Sequence, residues 1–422
     1  VLFQSIKGVN DILPDEVGVW QAVEETARKI FARFGFKEIR TPIFEQTELF
    51  TRSIGQTTDI VKKEMYNLID KKGRNLTLRP EATAPVIRSY IEHKGKFGNQ
   101  ITKLYYIGPM FRYERPQGGR SRQFHQIGVE FVGGNSPHGD AETINLAYQF
   151  FKGIGLGDVV IEVNSVGCPE CRPRYGESLK AYIQKDIDKY CPDCKDRFER
   201  NILRVLDCKV PEDITLLAGA PTLTEFVCQG CKGHFDMVQE ALAALRVPFK
   251  VNRKLVRGLD YYTRTVFELR HGALGALDAI GAGGRYDNLT AELGGEPKGA
   301  VGFAAGMERI ILALHAKGVA PQEEFSLDSY MVSIGEAAFK ANIGLLNDLR
   351  ASGLRGDMDY EAKSIKAQMR QADSFKARFA LIRGDDELTA GLVTVKELKA
   401  GKEEKVSLAA VVEFLKEKTQ KA

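Results

Sequence analysis

Two stretches, KLYYIGPMFRYE (residues 103–114) and RQFHQIGVEFV (residues 122–132), alternate apolar and polar side chains on either side of a polar tip. Successive side chains on a strand point to opposite faces, so this spacing predicts two paired strands. In the second, Ile127, Val129 and Phe131 share one face, which must go to a core. Gln126, Gly128 and Glu130 share the other, an amide and a carboxylate separated by a glycine that leaves room for a ligand. On the first strand Gly108, Met110 and Arg112 share a face, and pairing would carry Arg112 over the floor made by Gln126 and Glu130. Arg115, Arg120 and Arg122 sit in the tip. A guanidinium donates two parallel hydrogen bonds, the geometry that suits phosphate. A solvated hairpin with surface arginines is the plainer alternative.

The rest of the chain places this hairpin among other elements. At 422 residues, two or three domains are expected. Trp20, Val23, Ala27, Ile30, Phe31 and Phe34 recur at helical spacing. EIRTPIFEQTELF reads as a strand broken by Pro42 that leads into a short helix. NLTLRPEATAP (75–85) reads as strand, turn and helix, followed later by a helix over 139–153 and a strand over 158–167. From Cys168 to about Pro248 the chain becomes helical and cysteine-bearing, an apparent insertion, because strands resume over 264–270, 277–289 and 300–306. A linker over 316–328 precedes alternating strands and helices, the pattern of a small α/β domain. A content of 43% hydrophobic and 27% charged residues is that of a soluble globular protein, and a formal charge of +4 permits a polyanionic partner without demanding one. No apolar run reaches membrane-spanning length, and no secretion signal is expected. The opening VLFQ resembles a protease-site remnant and carries no weight for the fold.

Four further stretches could carry chemistry. In RPEAT (79–83), Glu81 and Thr83 sit at the edge of an element, where a carboxylate could hold an ammonium group or simply favour a helix dipole. In LVRGLDYYTRTVFE (255–268), Arg257 precedes a Gly-Leu-Asp turn. Tyr261 and Tyr262 would point to different sides of an extended chain, so at most one is expected to face a ligand. In GAGGRYDNL (281–289), Gly281 and Gly283 permit close approach of something flat, but no Walker loop or dinucleotide fingerprint surrounds them. In VGFAAGMERIILAL (301–314), Gly302, Ala304 and Gly306 leave one strand face open beside Arg309, an arrangement suited to a planar base near a phosphate. All seven cysteines lie between Cys168 and Cys231, as three C-x-x-C pairs and Cys208. Two such pairs could close a tetrahedral zinc site, with Cys168, Cys171, Cys191 and Cys194 the candidate set. Buried free thiols and oxidative pairing are the alternatives.

Taken in order, EIRTPIFE, FRYERPQGGRSRQFHQ and GFAAGMER resemble motifs 1, 2 and 3 of the class II aminoacyl-tRNA synthetases. LVRGLDYYTRTVFE and GAGGRYDNL resemble the two stretches specific to the histidyl-tRNA synthetase family, bacterial type. The resemblance covers essentially the whole chain and implies an α+β fold. A class II catalytic domain built on an antiparallel sheet would span 5–167 and 249–320. A helical insertion domain over 168–248 would contact the tRNA acceptor stem, and an α/β anticodon-binding domain would span 328–422. A cytoplasmic homodimer joined through the motif 1 surface, with no membrane partner, is implied. So is the reaction: L-histidine and ATP, with magnesium, give histidyl-adenylate, and the histidyl group then moves to tRNA(His).

The resemblance also implies roles. Arg112 would bind the α-phosphate of ATP and Arg309 the γ-phosphate. Arg257 would bridge the histidine carboxylate and the α-phosphate. Arg120 would reach phosphate or acceptor stem. Gly281, Gly283, Gly302 and Gly306 would border ATP. Glu81, Thr83 and Gln126 would hold the α-amino group, and Glu130 and Tyr262, beside Tyr261, would read the imidazole. Ala82 stands where many members carry Gly, and Tyr113 where some carry His. Zinc is not a general feature of the family. Lys363, Lys366 and Arg370, within a basic stretch ending at Arg383, fall on one helix face that would meet RNA phosphates. Paralogues of this core serve as regulatory subunits of ATP phosphoribosyltransferase, but they generally lack the LVRGLDYYT stretch and the C-terminal domain, both present here. GLDYYTRTVFE with Gln126 and Glu130 argues against another amino-acid specificity.

Overall fold

The computed structural model describes residues 2–56, 58–98, 100–320 and 326–420 and divides into two compact units, 1–321 and 322–422. The expected linker over 316–328 lies partly outside the described residues.

The first unit contains strands β1 (Lys37–Glu38), β2 (Phe44–Gln46), β3 (Tyr66–Ile69), β4 (Asn75–Leu78), β5 (Thr102–Phe111), β6 (Gln123–Val132), β7 (Val160–Ser165), β8 (Lys250–Val251), β9 (Thr263–Arg270), β10 (Ala279–Arg285) and β11 (Ala300–Gly306). Eight form one sheet in the order β1-β5-β6-β11-β10-β9-β7-β8. Its pairs are antiparallel except β1 with β5 and β7 with β8 at the margins. The two strands expected around the polar tip are β5 and β6, paired from Thr102↔Val132 to Phe111↔Gln123. Pro42 interrupts what would have been one strand, leaving β1 in the large sheet and β2 in a separate sheet of order β2-β4-β3.

One face of the large sheet is mainly apolar. Ile127, Val129 and Phe131 of β6, Phe267 and Leu269 of β9, and Phe303 of β11 share a core with helices Val17–Arg33, Pro137–Gly153, Gln229–Ala244 and Met307–Lys317. The pattern inferred for β6 therefore holds. Burying these side chains, each contributing about 1.5–3 kcal/mol, fixes the register, since a one-residue slip would send every one to the polar side.

A buried ion pair ties helices to strands on this face. Asp140, in the first turn of Pro137–Gly153, accepts hydrogen bonds from Arg285 Nε (2.9 Å) and Nη2 (2.5 Å) of β10. It also accepts from Thr265 Oγ1 of β9 (2.6 Å) and bonds His234 Nε2 (2.7 Å) of the helix returning from the insertion. Arg285, fully buried, also donates to Gly134 O and Ser136 O in the turn after β6. Burial pushes the Asp140 carboxyl up, but the His234 hydrogen bond and the Arg285 charge outweigh it and hold the group below the usual carboxylate range.

The insertion lies between β7 and β8 and consists of helices Cys171–Gln184, Pro192–Arg200, Pro211–Leu216 and Gln229–Ala244 with short 3-10 turns between them. Among the described residues no helix is long and apolar enough to cross a membrane.

The second unit is a mixed sheet of β12 (Ser329–Ser333), β13 (Gly356–Met358), β14 (Phe379–Arg383), β15 (Leu392–Glu397) and β16 (Lys402–Ser407), in the order β13-β12-β14-β15-β16. Its central pairs are parallel, as α/β crossovers require, and β14, β15 and β16 are antiparallel. The basic face expected here is smaller than the sequence implied. Lys363 precedes helix Ile365–Ser374 and pairs with Glu361 at 2.8 Å, while Arg383 is buried and bonds Asn342. Lys366 and Arg370 remain exposed on the helix.

Asp140→Ala would leave the buried Arg285 charge with Asp287 (2.9 Å) as its one remaining ion-pair partner among the described residues, and breaking a buried pair in this way costs up to about 3–5 kcal/mol. The expected result is a lower urea midpoint for the fluorescence of Trp20, the chain's one tryptophan and part of the same core. An unchanged midpoint would show that the pair does not hold the unit together.

Candidate functional site

The face of the sheet opposite the apolar core carries a cleft of about 490 Å³. Four sequence-predicted arginines reach it from separate elements: Arg112 at the end of β5, Arg120 in the tip, Arg257 in the loop before β9, and Arg309 in helix Met307–Lys317. Gln126, Gly281 and Gly306 line it as well, with Ala282, Ala304, Glu114, Glu268 and Glu308.

Each arginine is held by a neighbour that fixes its direction. Arg112 Nε donates to Pro80 O at 2.9 Å. Arg257 Nη1 donates to Glu268 Oε2 at 2.7 Å, and Glu268 Oε1 accepts from Arg270 Nε at 2.9 Å. Arg309 Nη1 donates to Ala279 O, and burial followed by the nearby Arg120 charge lowers its pKa. The tip turns back at Gln117–Arg120, where Gly119 (φ 70°) rests on the stem of Arg309. Of the other two tip arginines, Arg115 is exposed and Arg122 stacks on the Tyr113 ring at 4.1 Å. Clustering cations in one cleft repels them mutually, so the arrangement favours a polyanion that neutralises them.

Beneath the arginines lies a buried polar layer. Glu130, almost fully buried, accepts a hydrogen bond from Tyr286 Oη. Desolvation raises its pKa to about 8, against the opposing hydrogen bonds of Tyr286 and Thr83. Glu81 caps helix Thr83–Glu92, accepting from Thr83 N (2.8 Å) and Ala84 N (2.9 Å), and burial raises its pKa too. The helix-capping alternative is therefore realised, and it holds the carboxylate still beside the pocket. Gln126 Oε1 is buried without a hydrogen-bond partner among the described residues, an acceptor turned toward the cleft.

Several expectations need correction. Tyr261 and Tyr262 do not diverge: residues 258–261 form a bend and turn, so strand parity does not apply. Both rings are buried side by side, centroids 4.7 Å apart, and both feel the charges of Glu81 and Glu130. Gly128 does not leave room for a ligand. A β-carbon there would lie 2.3 Å from Tyr106 Oη, so the glycine accommodates that ring. Gly283 is not in the cleft. Its missing side chain lets Phe267 and Phe303 pack beneath the sheet, while Ala282 and Gly284 take the cleft-side positions of β10. Gly302 makes room for Glu130, because a β-carbon there would meet Glu130 Oε2 at 2.1 Å. Finally, the fold does not join Cys168 and Cys171 to Cys191 and Cys194. It sets the first pair beside Cys228 and Cys231, and the second beside Cys208 and Asp213.

Glu268 was missed, although its alternation with Phe267 and Leu269 already sets it on the polar face. Tyr106 and Tyr286 were missed because nothing local links residues 24 or more positions away to Glu130.

Comparison with known proteins adds an independent line. Residues 8–170 and 200–310 match the family model described as histidyl-tRNA synthetase, and residues 328–418 match one described as anticodon binding domain. The histidine–tRNA ligase of Moorella thermoacetica is 50% identical over 408 residues, 97% of this chain and 96% of that protein. That of Halothermothrix orenii is 51% identical over 407 residues, 96% of this chain and 97% of that protein. The crystal structure of apo histidyl-tRNA synthetase from S. aureus superposes with a TM-score of 0.83 at 38% identity, over 98% of this chain and 100% of that one.

A carboxyl whose folded pKa is raised holds its proton after the unfolded chain has lost it. Stability then falls as pH rises from the ordinary value of 4.5 to about 8. Glu130→Gln removes this loss, so the variant should melt progressively higher than the parent protein across that window. Melting curves that stay parallel from pH 5 to 9 would contradict a protonated Glu130.

Proposed function

The chain belongs to the histidyl-tRNA synthetase family and is a histidine–tRNA ligase; we propose that its four cleft arginines and the carboxylates beneath them divide the work of histidine activation. Arg112 holds the α-phosphate of ATP, Arg309 the γ-phosphate, and Arg120 closes from the tip over phosphate or the acceptor end. Gly281, Ala304 and Gly306 leave a flat border for the base. Glu81, Thr83 and Gln126 take the histidine ammonium group. Glu130 and Tyr262 read the two imidazole nitrogens, with Tyr261 packed against Tyr262. A site that bonds both ring nitrogens rejects apolar isosteres strongly, because its buried polar groups would be left unpaired.

In the first half-reaction a histidine carboxylate oxygen attacks the α-phosphorus. The bond from that phosphorus to the bridging oxygen breaks, and pyrophosphate leaves. Charge grows at the α-phosphate as the bond forms, and Arg257 stabilises it from a position already fixed by Glu268. Magnesium would be held chiefly by the ATP phosphates, where it would offset their charge; Glu114, Glu268 and Glu308 of the cleft are engaged by arginines or by His125. In the second half-reaction a hydroxyl of the terminal tRNA ribose attacks the carbonyl carbon. The mixed anhydride breaks and AMP leaves.

The catalytic domain in this reading is 5–167 with 249–320, the insertion over 168–248 meets the acceptor stem of tRNA(His), and 328–422 reads the anticodon. Exposed Ile43, Phe44, Leu68 and Ile69 around the small sheet support a homodimer through the motif 1 surface. The cytoplasm is the compartment that suits seven free cysteines.

The observation that carries the reading is the convergence of four arginines from separate elements over a buried, unpartnered Gln126 acceptor. ATP–pyrophosphate exchange, measured with each amino acid in turn, tests it. Exchange should depend on histidine, and Arg257→Ala should lower kcat/KM by about 100- to 1,000-fold. Exchange with no amino acid from a folded, ATP-binding sample would overturn it.

A further inference from the structure

The cysteines of the insertion form two compact sets, and together these use all seven in the chain. In each set the candidate ligand atoms lie within 4.8 Å of one another. Cys168 Sγ is 3.5 Å from Cys171 Sγ, which is 3.9 Å from Cys231 Sγ. In the second set Cys191 Sγ is 3.9 Å from Cys208 Sγ, and Cys208 Sγ is 3.2 Å from Asp213 Oδ2. A zinc–sulfur bond of about 2.3 Å puts the corners of a tetrahedron roughly 3.8 Å apart, with a shorter edge to a carboxylate oxygen. A disulfide would need sulfurs about 2 Å apart. We propose that the insertion holds two structural zinc ions, one on Cys168, Cys171, Cys228 and Cys231, the other on Cys191, Cys194, Cys208 and Asp213.

The second set shows why a plain cluster of buried thiols is a poorer account. Asp213 is buried, and its hydrogen bonds come from Cys191 N (3.1 Å) and the Cys208 thiol. Among the described residues no lysine or arginine forms a salt bridge to it. A buried carboxylate facing three sulfurs needs a cation. In both sets, backbone N–H groups point at sulfur: Cys228 N at Cys171 Sγ (3.1 Å), Cys194 N at Cys191 Sγ (3.4 Å) and Val210 N at Cys208 Sγ (3.4 Å). Such donors favour thiolate and orient metal ligands. Gly167, at φ 63°, lets the chain turn into the first set, where a β-carbon would sit 2.6 Å from Cys171 Cβ.

The placement gives each ion a task. The first joins the chain leaving β7 to the start of helix Gln229–Ala244, which returns to β8, so it closes the root of the insertion. The second clasps the segment bearing Asn201 and Arg204. Asn201 Nδ2 donates to Asp260 Oδ1 at 3.1 Å, and Arg204 donates to Gly258 O, in the turn that follows Arg257. Zinc thereby steadies the loop that carries Arg257. Cys171, Cys191 and Cys194 lie between the two ranges that match the family model, 8–170 and 200–310, and the other four cysteines lie within them.

Elemental analysis of the full chain, purified under reducing conditions without added metal, should find two zinc ions per chain. Cys228→Ser and Cys208→Ser should each lose one, and cobalt(II) exchanged into the protein should show the ligand-field absorption of tetrahedral thiolate sites. Absence of zinc from the parent protein, with all seven thiols open to a thiol reagent in the folded state, overturns the proposal. Iron in place of zinc overturns the identity of the metal. One ion, lost with Cys208→Ser and kept with Cys228→Ser, overturns the first site.

Discussion

Asp140 is the point on which the catalytic unit turns. It is fully buried, and its carboxylate gathers Arg285 of β10, Thr265 of β9 and His234 of the helix returning from the insertion. A lone charge there would cost several kcal/mol, so every donor must be in place at once. That requirement orients β9 and β10 against the helix carrying Asp140, and it anchors the end of the insertion to the same spot. Arg257 sits in the loop before β9, Glu268 on β9, and Ala282 on β10. Their common facing toward the cleft follows from the same constraint.

The sheet then divides labour between its faces. Beneath it, Phe267 and Phe303 are packed too closely for a side chain at Gly283. Above it, glycines make room for protein groups before they make room for any ligand: Gly128 for Tyr106, Gly302 for Glu130, and Gly284 for Tyr262. The result is a polar layer fixed by packing. Glu130 is held protonated near neutrality by its burial, and the arginines above it are held by carbonyls and carboxylates. A preorganised site of this kind does not reorganise when charge develops in the reaction.

How far the sequence foretold this follows from the range of each interaction. Alternation over eight to ten residues is local, so β5, β6 and β11 and the sharing of a face by Gln126 and Glu130 were legible. The same rule misled at Tyr261 and Tyr262, where the chain turns and parity has no meaning. The glycine-rich run misled at Gly283, because which face of β10 meets the cleft is set by its neighbours. The Asp140–Arg285 pair spans 145 residues and left no local trace. Cysteine spacing announced paired ligands, but not that Cys171 would meet Cys231, 60 residues on. Strand parity already set Arg112 over the floor and Arg309 beside an open strand face, but separate roles for Arg112, Arg120, Arg257 and Arg309 were legible only from the ordered set of motifs.

A crystal structure of the protein with L-histidine and a non-hydrolysable ATP analogue tests the central claim most directly. The account predicts the imidazole between Glu130 and Tyr262, the carboxylate within hydrogen-bond reach of Arg257, and the triphosphate against Arg112 and Arg309. Histidine bound outside the buried layer, or a triphosphate that none of these arginines touches, would contradict it.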